Sequence, residues 1–211
     1  MNSRHKLGIV TFLTLLRLPF VLLFFVGAIF YAEYRITWIF AVTFTCLIIS
    51  AVTDIFDGWL ARRWHVETRF GAHADPLMDK FFYLATFPLL VFVSVKNAWG
   101  PDPHVYARTH AIFLLVLTLL FLARDQWVTF LRSIGSIYNV SGRAHWSGKL
   151  RTIIMFPLIC AIYHVEESPL QLFPMGLLCA FEGLALAITA LSVYIYTRNY
   201  WPYLRRSTYP E

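Results

Sequence analysis

Charge is scarce in this chain. Of its 211 residues only 14% are Asp, Glu, Lys or Arg, while 58% are hydrophobic. Soluble domains carry about 25% charged residues. A soluble globule this apolar would have too few polar residues to cover its surface, and a disordered chain would need the opposite composition. Cysteine is scarcer still. Cys46, Cys160 and Cys179 all lie in apolar runs and have no CxxC spacing. That pattern excludes a disulfide framework and a zinc site and reads as three buried thiols. Glycine and proline, ten of each, form no linker. No low-complexity tract or repeat divides the chain, so residues 1–211 read as one domain. Acids are also few, 12 against 18 Lys and Arg, for a formal net charge of +6. In a chain this apolar the excess reports membrane orientation and lipid headgroups, not nucleic acid.

What the chain does have is long apolar runs. A bilayer core about 30 Å thick takes roughly 20 helical residues to cross. Six apolar stretches are the candidates: residues 8–31, 37–53, 81–95, 110–130, 153–165, which is short, and 173–196. The second runs on as helix beyond the membrane, and the third extends backwards through Leu77 and Met78, with a start or bend near Asp75 because Pro76 suits a first helical turn. The expected fold is therefore an all-α integral membrane bundle of six transmembrane helices. The opening Arg4 and Lys6 before an apolar run reads as a retained first helix. That run is longer than a signal peptide's apolar core and contains Arg17. Six spans put both termini on one side. With the N-terminus in the cytoplasm, every Lys and Arg except Arg35, Lys96 and Arg108 falls on the cytoplasmic side, as the positive-inside rule prefers. Trp38, Trp99 and Trp201 sit near span ends, as interfacial aromatics do.

The chemistry concentrates between Asp54 and Asp79. On a helix continuing the second span, positions 54, 57, 58 and 61 are spaced i, i+3, i+4, i+7 and share one face. They carry Asp54, Asp57, Gly58 and Ala61, two carboxylates beside the two smallest side chains. Such a face can bind cations and let a bulky ligand approach the backbone closely. Gly71, Asp75 and Asp79 step by four along the next helix. An acid at the bilayer centre costs about 2.5–3.5 kcal/mol, and four converging acids repel one another. Salt bridges to Arg62, Arg63, Arg69 and Lys80 are the plain alternative. Hard divalent cations with oxygen ligands fit four acids at this spacing better. Two such ions could clamp both sides of a displacement at phosphorus.

The run Asp54-x2-Asp57-Gly58-x2-Ala61-Arg62-x8-Gly71-x3-Asp75-x3-Asp79 resembles the signature of the CDP-alcohol phosphotransferase family, with all eight fixed residues in place. The resemblance implies an integral membrane homodimer that moves a phosphatidyl or similar group from a CDP-linked donor to an alcohol and releases CMP. It implies that Asp54, Asp57 and Asp75 are ligands of two Mg2+ or Mn2+ ions. Asp79 would touch the second ion and act as the general base on the acceptor hydroxyl. Gly58, Ala61 and Arg62 resemble the cytidine-diphosphate contacts, and Thr68 sits where the family often offers a hydroxyl. Near the N-terminus the family often reads Asn-x2-Thr-x2-Arg. Here Thr14 and Arg17 match as donor contacts, while Thr11 stands in place of Asn. Arg17, inside the first span, needs an anionic partner, either the carboxylate cluster or the donor phosphate.

Ala123-Arg124-Asp125-x2-Val128-Thr129-x2-Leu131-Arg132, with Ser147-Gly148-Lys149-Leu150-Arg151-Thr152 downstream, is similar to the family's bacterial phosphatidylglycerophosphate synthase branch. Asp125 stands where that branch has Glu, and Arg151 where it has Lys. Arg124, Arg132, Lys149 and Arg151 would form a cationic pocket for the phosphate of an acceptor such as glycerol 3-phosphate, with CDP-diacylglycerol as donor. That implies an enzyme of phospholipid biosynthesis in the inner (plasma) membrane, with its site on the cytoplasmic face. Other acceptors (inositol phosphate, inositol or serine) remain open, as does a cation transporter with the acids lining its path. Glu182, inside the sixth span, reads as paired with an Arg or protonated at a helix–helix or dimer contact.

Overall fold

In the computed structural model the chain is all helix wherever an element is assigned: α1 Ser3–Tyr34, α2 Thr37–Trp64, α3 Arg69–Ala98, α4 Ala107–Ile137, α5 Trp146–Glu167 and α6 Met175–Thr208. The structure describes residues 3–64, 69–100, 107–138, 140, 146–170 and 173–208. Of these, 3–7, 9–10, 54–55, 57–59, 61–62, 69–76, 146–149 and 151–152 are described as helical backbone only. Among the described residues, Thr11–Tyr34, Leu77–Ala98, Ala107–Ile137 and Met175–Thr208 are long and apolar enough to cross a membrane. α2 adds a shorter apolar stretch, Thr37–Thr53. Among the described residues α5 is not one of these candidates. The second helix does continue past its apolar stretch, as expected. The third starts at Arg69, so of the start or bend expected near Asp75 the start is excluded. Proline costs a helix one backbone hydrogen bond without necessarily ending it, and α1, α5 and α6 likewise run through Pro19, Pro157 and Pro202.

The helices pack in a ring. α1 lies against α2 and α3, α3 against α4, α4 against α6, α6 against α5 and α5 against α2, with α3 and α5 also touching across the ring. Phe24, Phe87, Leu114, Phe121, Leu158 and Tyr163 fill the centre. The Phe24 and Tyr163 rings meet edge to face, with centroids 5.1 Å apart. Apolar side chains cover the outside too, among them Phe12, Leu23, Leu84, Leu119 and Ile153. Lipid tails are as apolar as leucine, so such a bundle is held by close packing and polar contacts, not by withdrawal from water. Gly27 illustrates the packing: a Cβ there would come 2.5 Å from Thr43 Oγ1, so glycine is what lets α1 lie this close to α2.

Cys46 is buried and Cys160 half-buried, but Cys179 is exposed. The expectation of three buried thiols is corrected there, because an apolar run facing lipid leaves part of its length on the surface.

Candidate active site

Residues 54, 57, 58, 61 and 62 lie on α2, and 71, 75 and 79 on α3. α2 is unbroken through this stretch, so the four positions keep the helical register expected of them. The side chains of Asp54, Asp57, Gly58, Ala61, Arg62 and Asp75, and the whole of Thr68, lie outside the described residues. Asp79 is described. Arg17 Nη1 donates to its Oδ1 at 2.8 Å. Arg17 has 3% of its side chain exposed and Asp79 36%. The guanidinium lies 5.1 Å from the Phe82 ring centroid and 5.4 Å from that of Phe156, so two aromatic faces help hold a charge taken out of water. Thr14, one turn before Arg17, is buried on the same helix. Of the two anionic partners expected for Arg17, the fold supplies a signature acid.

Among the described residues no three His, Cys, Asp or Glu side chains converge to hold a metal ion. The signature's donor set is all carboxylate, which suits a hard divalent cation better than zinc or copper.

Of the four cations expected to bind an acceptor phosphate, Arg124 and Arg132 are described and share one junction with α6. Arg124 Nη1 donates to Asp125 Oδ1 at 3.0 Å and Nη2 to Ser192 Oγ. Arg132 Nη2 donates to Tyr196 Oη at 2.8 Å. The side chains of Lys149 and Arg151, on α5, lie outside the described residues. Ser192 and Tyr196 are not among the residues expected from sequence. Their spacing of four on the last helix was the available signal.

The opposite end of the bundle holds a second polar cluster. α1, α3 and α5 end there, while α2, α4 and α6 begin there. His110 Nδ1 lies 2.9 Å from Glu166 Oε1, and its Nε2 lies 3.0 Å from Glu182 Oε1. Of the two readings of Glu182, an arginine partner or a helix–helix contact, the fold gives a contact between α4 and α6, with His110 in place of an arginine. Ser94 and Asn97 donate to Glu166, and Arg35 and Asn97 to Glu167. Arg35 sits in the two-residue connection between α1 and α2 at φ 54, a left-handed conformation that usually falls to glycine at a helix end. Its N–H bonds Tyr31 O at 2.8 Å, and its guanidinium joins α1 to α5. Arg35, Asn97, His110, Glu166 and Glu167 help wall a cavity of about 1040 Å3. Arg35, Lys96 and Arg108, the three exceptions to the charge asymmetry, all lie at this end. Lys96 bonds Glu33 at 2.7 Å, and Arg108 lies over Trp99.

Glu166 and Glu167 follow the apolar run of α5. Burial pushes the Glu166 carboxyl up, but hydrogen bonds from His110, Ser94 and Asn97 outweigh it and hold the group below the usual carboxylate range. Glu167 goes the other way. Burial, aided by the charge on Glu166, overrides Arg35 and Asn97 and pushes it up to about 7.

An apolar helical bundle whose last signature acid, Asp79, is held by a buried arginine points to a class, and the comparisons agree with it. The family model described as CDP-alcohol phosphatidyltransferase matches residues 8–195. The chain belongs to the CDP-alcohol phosphatidyltransferase family and is a membrane enzyme of that type. Similar proteins carry the name CDP-diacylglycerol–glycerol-3-phosphate 3-phosphatidyltransferase. The one from Salmonella choleraesuis (strain SC-B67) is 30% identical over 147 residues, 70% of this chain and 71% of its own. That of Sodalis glossinidius (strain morsitans) is 27% identical over 196 residues, 92% of this chain and 97% of its own. That of Escherichia coli (strain K12) is 30% identical over 150 residues, 70% and 71%.

Proposed function

We propose that this chain transfers the phosphatidyl group of CDP-diacylglycerol to glycerol 3-phosphate, giving phosphatidylglycerol phosphate and CMP. The names of its relatives support the reading. One observation carries it: Asp79 is oriented by Arg17 at 2.8 Å yet keeps 36% of its side chain exposed. A general base needs both a set direction and access to the proton it takes.

In this reading Asp79 accepts the proton of the acceptor hydroxyl. That oxygen bonds to the phosphorus bearing diacylglycerol, the bond from that phosphorus to the bridging oxygen breaks, and CMP leaves with the electron pair. Asp54, Asp57, Asp75 and Asp79 would hold two divalent cations, Mg2+ or Mn2+, whose charge, when bound, offsets that of the pyrophosphate. Gly58, Ala61, Arg62, Thr68, Thr14 and Arg17 take the donor. Arg124, Arg132, Lys149 and Arg151 take the acceptor's phosphate, where an arginine's planar fork matches the oxygens. The chain is a single domain over 1–211, works as a homodimer and crosses the inner (plasma) membrane several times. Both termini and the site face the cytoplasm, and the skew of Lys and Arg supports that orientation.

The test is an acceptor screen. The purified protein in detergent, with Mg2+ or Mn2+ and CDP-diacylglycerol, is given glycerol 3-phosphate, inositol phosphate, inositol or serine. CMP release and a phosphatidylglycerol phosphate product with glycerol 3-phosphate are expected. Turnover only with another alcohol would reassign the acceptor, and cation flux into liposomes without CMP formation would overturn the enzyme reading.

A further inference from the structure

Tyr196 of α6 sits between two arginines of α4. It is 2% exposed. The guanidinium carbon of Arg124 lies 5.5 Å from its ring centroid, and that of Arg132 5.3 Å. Positions 124 and 132 are just over two helical turns apart, about 12 Å along the axis, so one aromatic ring serves both. The electron-rich face attracts each cation and offsets the repulsion between them. One turn earlier on α6, Ser192 accepts from Arg124, while the Tyr196 hydroxyl accepts from Arg132. α6 thus presents a rack with two acceptors and one ring at i, i+4.

The rack is itself fixed. Tyr196 stacks on Tyr200 at 6.4 Å, and Val128 and Leu131 pack beside them. The Tyr200 ring lies so near Gly135 that a Cβ there would overlap it. Asp125 faces Arg124. Arg132, in contrast, bonds a neutral phenol, and no carboxylate among the described residues lies within ion-pair distance of it. Among the described residues the junction therefore holds one guanidinium beside an acid and one oriented by a phenol. This is the arrangement a bound anion would complete. An arginine left to itself has large rotamer freedom to lose on binding, and holding it in place beforehand removes much of that cost.

We propose that Tyr196 is a positioning residue for the acceptor: its ring and hydroxyl hold Arg124 and Arg132 ready for the acceptor's phosphate. The inference rests on the reading of those two arginines as the phosphate-binding groups.

Steady-state kinetics on the full chain in detergent micelles test it. Tyr196→Phe keeps the ring and its packing and removes only the hydroxyl. The KM for glycerol 3-phosphate should rise about tenfold, the scale of one hydrogen bond to a charged group. Turnover number, KM for CDP-diacylglycerol and thermal midpoint should stay near those of the parent protein. Inorganic phosphate, used as a competitor of glycerol 3-phosphate, should weaken by the same factor. Tyr196→Leu, which also loses the ring, should raise the acceptor KM further. Arg132→Ala should raise it too, and adding Tyr196→Phe to Arg132→Ala should change little more, because the hydroxyl acts through that arginine. An unchanged acceptor KM in Tyr196→Phe, or donor and acceptor KM rising together, overturns the role of Tyr196. If Tyr196→Leu does not fold, Tyr196→Phe still decides. Failure of the underlying reading looks different: the parent protein would then turn over an unphosphorylated alcohol and not glycerol 3-phosphate.

Discussion

Arg17 on α1 reaches Asp79 on α3 at 2.8 Å, across 62 positions of sequence. The contact fastens a nearly buried cation to the last acid of the signature, and the rings of Phe82 and Phe156 lie beside the guanidinium. Arg17→Ala should lower turnover by at least tenfold, the scale on which misplacing a reacting group costs rate. Arg17→Lys should recover only part of it, because an ammonium is a point charge without the planar fork. CMP release, read beside thermal stability, checks both. Parent-like turnover in Arg17→Ala would remove Arg17 from the site.

His110 lies between Glu166 and Glu182, one carboxylate oxygen at each ring nitrogen. His110→Ala would leave two buried acids without that partner. Breaking a buried charge pair on one side costs about 3–5 kcal/mol. The thermal midpoint in detergent should fall sharply, while the KM for either substrate in the surviving folded protein stays as it was. Adding Glu182→Gln should return part of the stability, since it replaces one of the two acids left without the imidazole.

Glu167 gives this end of the bundle a pH dependence. Its carboxyl is held at about 7 when folded, against 4.5 when unfolded. Between those values the folded state keeps a proton that the unfolded state has lost, so stability falls as pH rises from about 4.5 through about 7 and is level above. The span corresponds to about 3 kcal/mol. Glu166, held below its ordinary range, contributes stability that is present above 4.5 and lost on further acidification. Thermal midpoints measured from pH 4.5 to 8 should decline in the parent protein. In Glu167→Gln the decline across this window should flatten, and an equally steep profile would reject the assignment.

Gly27 meets Thr43 where α1 and α2 run closest, and a methyl group at position 27 would lie 2.5 Å from Thr43 Oγ1. Gly27→Ala should destabilise the bundle by about 1–3 kcal/mol through overpacking. Thr43→Ala in the same chain removes the colliding hydroxyl and should restore most of the loss. Thermal denaturation of the two single variants and the double variant gives the coupling.

Much of the architecture was legible because its rules are local. An apolar run of about 20 residues has few fates other than a membrane helix, and the register of Asp54, Asp57, Gly58 and Ala61 follows from helical period alone. The same locality explains the start of α3: Pro76 is a strong local signal, yet the helix runs through it from Arg69. Pairings between distant helices carry no such mark. Arg17 plainly needed an anion, but nothing in its neighbourhood named Asp79. Glu182 called for an arginine or a proton at a helix–helix contact, and nothing in its neighbourhood named His110, the partner that the fold supplies. Tyr196 looked like one aromatic among many. By itself, then, the sequence determined the class of protein, the six helices and the signature acids. Only the tertiary structure decided that Arg17 meets Asp79 and His110 meets Glu182, because away from water a buried charge needs a partner, and the packing of the helices selects which distant side chain supplies it.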